Sequence, residues 1–83
     1  MNKKQLSQIE KRVNDLHYGV MNKKALLNGG MIPKKEIKQV NEMIDLQLAK
    51  IDSINNVMMI LGYNAHYESV SRYMDKIHYV KFQ

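Results

Sequence analysis

Apolar residues recur at alternating steps of three and four through the middle of the chain, from Pro33 to Leu61. Gln47 is the single interruption of this spacing. A repeat averaging 3.5 residues places its members along one side of an α-helix. The pattern therefore predicts one long helix over residues 33–61, whose apolar seam is Ile37, Val40, Ile44, Ile51, Ile54, Met58 and Leu61.

A second seam with the same spacing precedes the first, and Lys23 is its single interruption. It predicts a helix over residues 3–28, with the apolar positions Leu6, Ile9, Val13, Leu16, Val20 and Leu27. Asn28-Gly29-Gly30 follows, and glycine readily adopts the left-handed conformation that ends a helix. Pro33 suits the first turn of the next helix. Because the connection is short, we expect the two helices to form an antiparallel hairpin.

The last part of the chain also contains helically spaced apolar residues: Val70, Tyr73, Met74 and Ile77. With Asn64 as a candidate N-cap, they predict a short third helix over residues 65–78. Residues 79–83 could continue this helix, fray or adopt an extended conformation. The expected fold is all-α: a single domain over residues 1–83, built from a long hairpin and a short third helix.

A third helix of about 20 Å cannot cover a hairpin of about 40 Å. We therefore expect apolar side chains of the second helix to stay exposed, and exposed apolar surface of that extent is typical of interfaces. The sequence predicts a homodimer through this helix, with the contact residues Leu46, Leu48, Val57, Met59 and Ile60. The alternative is a three-helix monomer whose second helix bends in the middle.

Composition limits the kinds of bond, binding site and cellular compartment that the protein can have. The chain has 83 residues, a formal charge of +5 and no cysteine, which excludes disulfides and thiolate metal sites. The longest apolar run is Val57 to Leu61, far shorter than the roughly 20 residues that a membrane span requires. No apolar segment follows the basic start of the chain, so a secretion signal is not expected. We expect a cytoplasmic protein.

Five lysines gather where the predicted hairpin turns, and no acidic residue occurs between Asp15 and Glu36. Lysines at the start of a helix oppose the helix dipole, and a bound anion would relieve this cost. The cluster is a candidate contact for nucleic acid or an acidic protein surface, although it could also be only a solvated tip. It consists of Lys23, Lys24, Lys34, Lys35 and Lys38.

Tyrosines are concentrated in the last part of the chain, beside basic residues. Tyrosine and arginine are enriched at the energetic centres of protein interfaces. These residues therefore form a candidate partner interface: Tyr63, Tyr67, Arg72, Lys76 and Tyr79. The alternative is that the aromatic rings pack in the core.

The sequence contains no pattern typical of an enzyme. His17, His66 and His78 lack the spacing of metal ligands, and no phosphate loop, dinucleotide fingerprint or nucleophile motif occurs. We expect neither catalysis nor a cofactor.

The first functional hypothesis is a non-enzymatic protein-interaction module that regulates or inhibits a larger partner protein. Its size and its lysine- and asparagine-rich composition resemble those of phage and mobile-element accessory proteins, some of which block a host defence or replication protein. Two alternatives remain open. One is a nucleic-acid-binding hairpin that uses the basic tip, and the other is a structural assembly subunit.

Overall fold

The computed structural model of the chain contains two helices followed by two strands. They are α1 (Lys3–Asn28), α2 (Lys34–Ile60), β1 (Ala65–Arg72) and β2 (Asp75–Phe82). The structure describes residues 1–72 and 75–83, and side chains for residues 1–68 and 79–83. The two predicted long helices are therefore confirmed, within one residue of their predicted limits.

The helix ends follow from local chemistry. Asn2 and Gln5 form a capping box at the start of α1, in which the Gln5 amide donates to Asn2 Oδ1 at 2.8 Å and the Asn2 amide donates to Gln5 Oε1 at 3.2 Å. Two glycines with positive φ follow the helices, Gly30 at 68° and Gly62 at 90°. Non-glycine residues rarely adopt this conformation, so these two positions turn the chain out of each helix.

The two apolar seams face each other and hold the helices together. Val13 and Val20 of α1 are buried, as are Ile44, Ile51 and Met58 of α2. All five are predicted seam positions. The antiparallel helical hairpin expected from the three-four spacing is thus confirmed.

The two polar interruptions of the seams bond to each other. Lys23 Nζ donates to Gln47 Oε1 across the helix pair at 3.1 Å. Gly19 provides the space for the Gln47 amide, because a Cβ atom at this position would lie only 2.8 Å from Gln47 Nε2. A half-buried polar pair of this kind favours one helix register, since any slip would leave both groups without a partner.

The predicted third helix is wrong, and with it the all-α class. Residues 65–82 form an antiparallel hairpin of β1 and β2 instead. Val70 and Ile77, which the helical interpretation placed on one face, are partners across the two strands. Tyr73 and Met74, also part of that interpretation, lie outside the described residues. The strands are rich in the aromatic and β-branched residues that pack well on a pleated surface.

The tail that the sequence left ambiguous completes the core. Val80 and Phe82 alternate with exposed Lys81, so both side chains of this pair point from β2 towards the helices and are buried. A two-stranded hairpin is at best marginally stable alone, so this packing is what stabilises it. The buried core cluster is Val13, Ile51, Met58, Val80 and Phe82.

The β-hairpin covers one face of the helix pair. On α1, the side chains that bond to the backbone of β2 are those of Glu10 and Asn14. Arg12 lies about 200° around the helix from Asn14, on the other face. There it lines an open groove between the helices. The result is a two-layer molecule with one helical face left uncovered by the rest of the described chain.

The first prediction concerns the C-terminal strand. Replacing Phe82 by alanine removes a buried ring, and we expect the free energy of unfolding to fall by about 3–5 kcal/mol in urea denaturation. Lys81→Ala is the matched control and should change it by less than about 0.5 kcal/mol, because Lys81 is exposed and its ion pair with Glu68 is long, at 4.0 Å. Equal effects of the two substitutions would show that β2 does not close the core.

Candidate interaction surfaces

An apolar groove runs between α1 and α2 on the face opposite the β-hairpin. Its larger part has a cavity volume of about 780 Å3, and a smaller part of about 420 Å3 continues it towards the middle of the helices. The two parts share Arg12, Ser53 and Ile54. The apolar side chains that line this helical groove are Met1, Ile9, Leu16, Leu46, Ala49, Ile54, Val57, Met58 and Leu61.

The charges of the helical groove have a single sign. Among the described residues that line it, Arg12 and Lys50 are charged and none is acidic. Both cations lie beside apolar side chains rather than opposite a carboxylate. The helical groove therefore combines an apolar floor with a positive rim, which favours ligands that carry negative charge beside apolar groups.

All five residues predicted for a dimer interface are exposed, but α2 does not place them together. Leu46 and Val57 are eleven residues apart, so they lie on one side of the helix, and both line the helical groove. Leu48 and Met59 have the same separation but lie on the far side, about 200° from the first pair. Ile60, at 84% exposure the most exposed apolar side chain among those described, is on the groove side. A single flat contact could not bury both sets, and the dimer itself stays a prediction.

The outer edge of β2 is bonded to side chains of α1. The Val80 amide donates to Asn14 Oδ1 at 2.7 Å, and Asn14 Nδ2 donates to the Val80 carbonyl oxygen at 3.3 Å. The Phe82 amide donates to Glu10 Oε1 at 2.9 Å. One helix flank thus satisfies the backbone groups that a third strand would otherwise satisfy, and closes this edge to further pairing.

The outer edge of β1 has no such cover from the described residues. Asn64 and Gln83 exchange two backbone hydrogen bonds of 3.0 Å. Hydrogen-bonded and non-hydrogen-bonded pairs alternate along an antiparallel ladder, so Ala65 and Phe82, the next pair, form no backbone hydrogen bond with each other. By the same alternation, Ala65 and Tyr67 direct their amide and carbonyl groups away from β2. Within the described part of the chain, these edge groups have no hydrogen-bond partner.

The predicted tyrosine interface is partly engaged within the molecule. Tyr63 packs against the core, and the Tyr79 hydroxyl bonds to that of Tyr18. Tyr67 is 51% exposed, although its ring meets His17 edge to face at 6.0 Å. Its hydroxyl accepts a hydrogen bond from Asn55 Nδ2 at 2.9 Å. The packing alternative therefore applies to Tyr63 and Tyr79, and Tyr67 stays a candidate for partner contact.

Arg72 and Lys76 complete the predicted partner interface. Both lie on the strands of the β-hairpin, and their side chains are outside the described part of the structure. Their contribution to an interface stays a prediction.

The basic tip contains four exposed lysines rather than five. Lys24, Lys34, Lys35 and Lys38 are exposed at the hairpin turn. Lys23 instead points across the helix pair to Gln47. A role for this tip in binding an anion or an acidic partner stays a prediction.

Sequence reasoning missed Glu10 and Asn14, whose side chains bond to the backbone of β2. They are four residues apart and so share one flank of α1, next to the apolar seam. The sequence shows this spacing. Only a strand prediction for residues 75–82 would have identified the two side chains as hydrogen-bond partners of a strand edge.

The described residues give two further findings. They contain no group of three side chains that could hold a metal ion, and neither helix is long and apolar enough to cross a membrane. Comparison with protein-family models, with curated proteins and with solved structures found no match.

The second prediction tests the bonded edge of β2. Asn14→Ala removes both hydrogen bonds to Val80, and we expect it to lower the free energy of unfolding by about 1–3 kcal/mol. The Val80 amide should also exchange with solvent faster in hydrogen-exchange NMR. Asn22→Ala, at an exposed position of the same helix, is the control and should change neither quantity. Unchanged exchange at Val80 in the Asn14 variant would contradict the described edge.

Proposed function

We propose that this protein is a non-enzymatic interaction module that regulates or inhibits a larger partner protein by binding it through the helical groove. The observation that carries this proposal is the groove itself, an apolar channel on a face that no described part of the chain covers. An apolar channel whose lining includes half-exposed side chains such as Val57 and Leu61 is typical of a surface that binds a partner.

The shape and charge of the groove favour one kind of ligand. Two antiparallel helices with an apolar channel between them accept a third helix, which inserts apolar residues at every third or fourth position. The positive rim of Arg12 and Lys50 favours acidic residues on either side of that apolar stripe. We therefore propose an acidic amphipathic helix of the partner protein as the occupant.

The same charges disfavour self-association through this groove. A two-fold contact would bring Arg12 and Lys50 of one copy close to those of the other copy, without an acidic residue among the described groove residues. We assign Leu46, Val57 and Ile60 to the partner-binding face for this reason. The predicted homodimer is then left with the opposite flank of α2, which carries Leu48 and Met59.

The third prediction uses a designed peptide as the probe. A labelled amphipathic helical peptide, with leucines at helical spacing and flanking glutamates, should bind the protein in fluorescence anisotropy. The same peptide with lysines in place of the glutamates should bind at least about tenfold more weakly, because it places cations against Arg12 and Lys50. Reversing both protein charges, in Arg12→Glu/Lys50→Glu, should invert this preference.

A matched pair of glutamate substitutions locates the site. Val57→Glu places a charge on the groove floor and should weaken peptide binding at least about tenfold. Asn56→Glu places the same charge one residue away, about 100° around the helix, and should leave binding nearly unchanged. Equal binding of both peptides by the unmodified protein, or equal loss with both variants, would contradict the proposed groove.

The basic tip supports a second candidate function, binding of nucleic acid, because Lys24, Lys34, Lys35 and Lys38 are all exposed there. Phosphate contacts of this kind depend steeply on salt.

The fourth prediction tests this alternative. If the tip binds phosphates, affinity for duplex DNA should fall by orders of magnitude between about 50 and 200 mM salt. Lys34→Glu/Lys35→Glu should abolish binding without loss of helical structure. A lack of DNA binding at low salt would leave the protein partner as the function to pursue.

A further inference from the structure

The basic tip exposes apolar side chains as well as lysines. We propose that this tip binds an anionic lipid surface, with its lysines at the lipid headgroups and its apolar side chains inserted among the upper parts of the acyl chains. The inference does not rest on the proposed function, because the described residues that line the helical groove include none from the tip.

The first argument is the apolar surface where the helices are joined. Leu26 is 44% exposed, Met31 75% and Ile37 37%. The Met31 amide donates a hydrogen bond of 3.1 Å to the Leu26 carbonyl oxygen, which places these two residues next to each other at the turn. Ile37 lies seven residues before buried Ile44 on the same seam, so the seam of α2 emerges from the helix pair at the tip. Exposed apolar side chains grouped in this way are typical of an interaction site.

The second argument is the charge around these side chains. The four exposed lysines of the basic tip lie in residues 24–38, as do the three apolar side chains. Glu36 is the single acidic residue between Asp15 and Glu42. Within the described part of the chain, none of the four lysines forms an ion pair. Clusters of this size bind the negative surface of membranes that contain anionic lipids.

The third argument favours lipid over nucleic acid. Phosphates of duplex DNA would neutralise the lysines, but Leu26 and Met31 would then face a polar sugar–phosphate surface. An anionic bilayer presents negative groups at its surface and apolar chains roughly 5–10 Å below it. Lysine stems are flexible and apolar, so their ammonium groups can stay at the headgroups while neighbouring apolar side chains insert. A lipid surface therefore satisfies both kinds of side chain at once.

The proposed contact is reversible and leaves the other end of the hairpin free. Membrane anchoring commonly combines an apolar group with a basic patch, because either of them alone binds weakly. Only a few side chains insert here, so the affinity should be modest and should decrease as salt screens the lysines. Met1 and Leu61 line the larger part of the helical groove, far from the turn, so a membrane-bound copy would keep this part of the groove accessible.

The fifth prediction measures binding to lipid vesicles by cosedimentation. At about 50 mM salt, vesicles of phosphatidylcholine with about 30% phosphatidylserine should bind at least about tenfold more tightly than phosphatidylcholine alone, and about 200 mM salt should weaken this binding. Lys34→Glu/Lys35→Glu should weaken it at least about tenfold. Acidic residues at the start of α2 suit the helix dipole, so unfolding would not explain this loss.

A matched pair of methionine substitutions tests insertion. Met31→Ser removes an apolar side chain from the tip and should weaken vesicle binding at least about fivefold. Met43→Ser should leave binding nearly unchanged. Met43 is also exposed, at 46%, but lies about 13 Å along α2 from Lys34, beyond the expected depth of insertion. Circular dichroism should show the same helix content in both variants.

A fluorescent variant reports the surroundings of the tip directly. The chain contains no tryptophan, so a single introduced tryptophan gives an unambiguous signal. The emission of Met31→Trp should shift to shorter wavelength on anionic vesicles, because the indole enters an apolar layer, and should not shift on duplex DNA. Met43→Trp is the control and should shift on neither.

Three outcomes would overturn the inference. They are a lack of binding to anionic vesicles at low salt, equal binding to both kinds of vesicle, and vesicle binding that Met31→Ser leaves unchanged. Binding of duplex DNA by a protein that does not bind vesicles would assign the tip to nucleic acid. Failure of the proposed function is measured separately, by the peptide assay with Val57→Glu, which should leave vesicle binding unchanged.

Discussion

Two helices packed side by side have two faces, and the β-hairpin of this chain covers only one of them. The cover is held by Val80 and Phe82, which insert between the helices, and by the side chains of Asn14 and Glu10, which bond to the edge of β2. Everything exposed follows from this arrangement. The uncovered face contains the helical groove, and β1, whose backbone receives no hydrogen bond from the described side chains of α1, keeps an open edge.

The sequence predicted the helical hairpin well because helix pairing is a local pattern repeated many times. The spacing of Ile44, Ile51 and Met58, together with the glycines after each helix, is sufficient to define it. The β-hairpin was missed because its evidence is short. Val70 and Ile77 suit a helical face as well as a strand pair, and the alternation of Val80, Lys81 and Phe82 spans only three residues, too few to predict a strand.

The sequence predicted that apolar residues of α2 are exposed, but not how they are grouped on the surface of the protein. The exposure was predicted from length, because a short third element cannot cover the whole of a long helical hairpin. Helical periodicity separates these residues into two flanks, with Leu46 on one and Leu48 on the other. Which flank lies beside the β-hairpin depends on the tertiary fold, which periodicity alone does not determine. Lys23 shows the same limit. It belonged to a basic cluster by sequence, but the gap at Gly19 and the acceptor at Gln47 direct it into the helix pair.

The bonds between α1 and β2 also bear on how the chain reaches this structure. Asn14 is 66 residues from Val80, and Glu10 is 72 residues from Phe82. Contacts between such distant segments require loop closure and slow the folding of a small domain, whereas the helical hairpin forms from nearer contacts. During synthesis, both faces of the helix pair would therefore stay uncovered until residues 80–82 emerge from the ribosome. A nascent chain with so much apolar helix surface is a substrate for chaperones and a risk for aggregation.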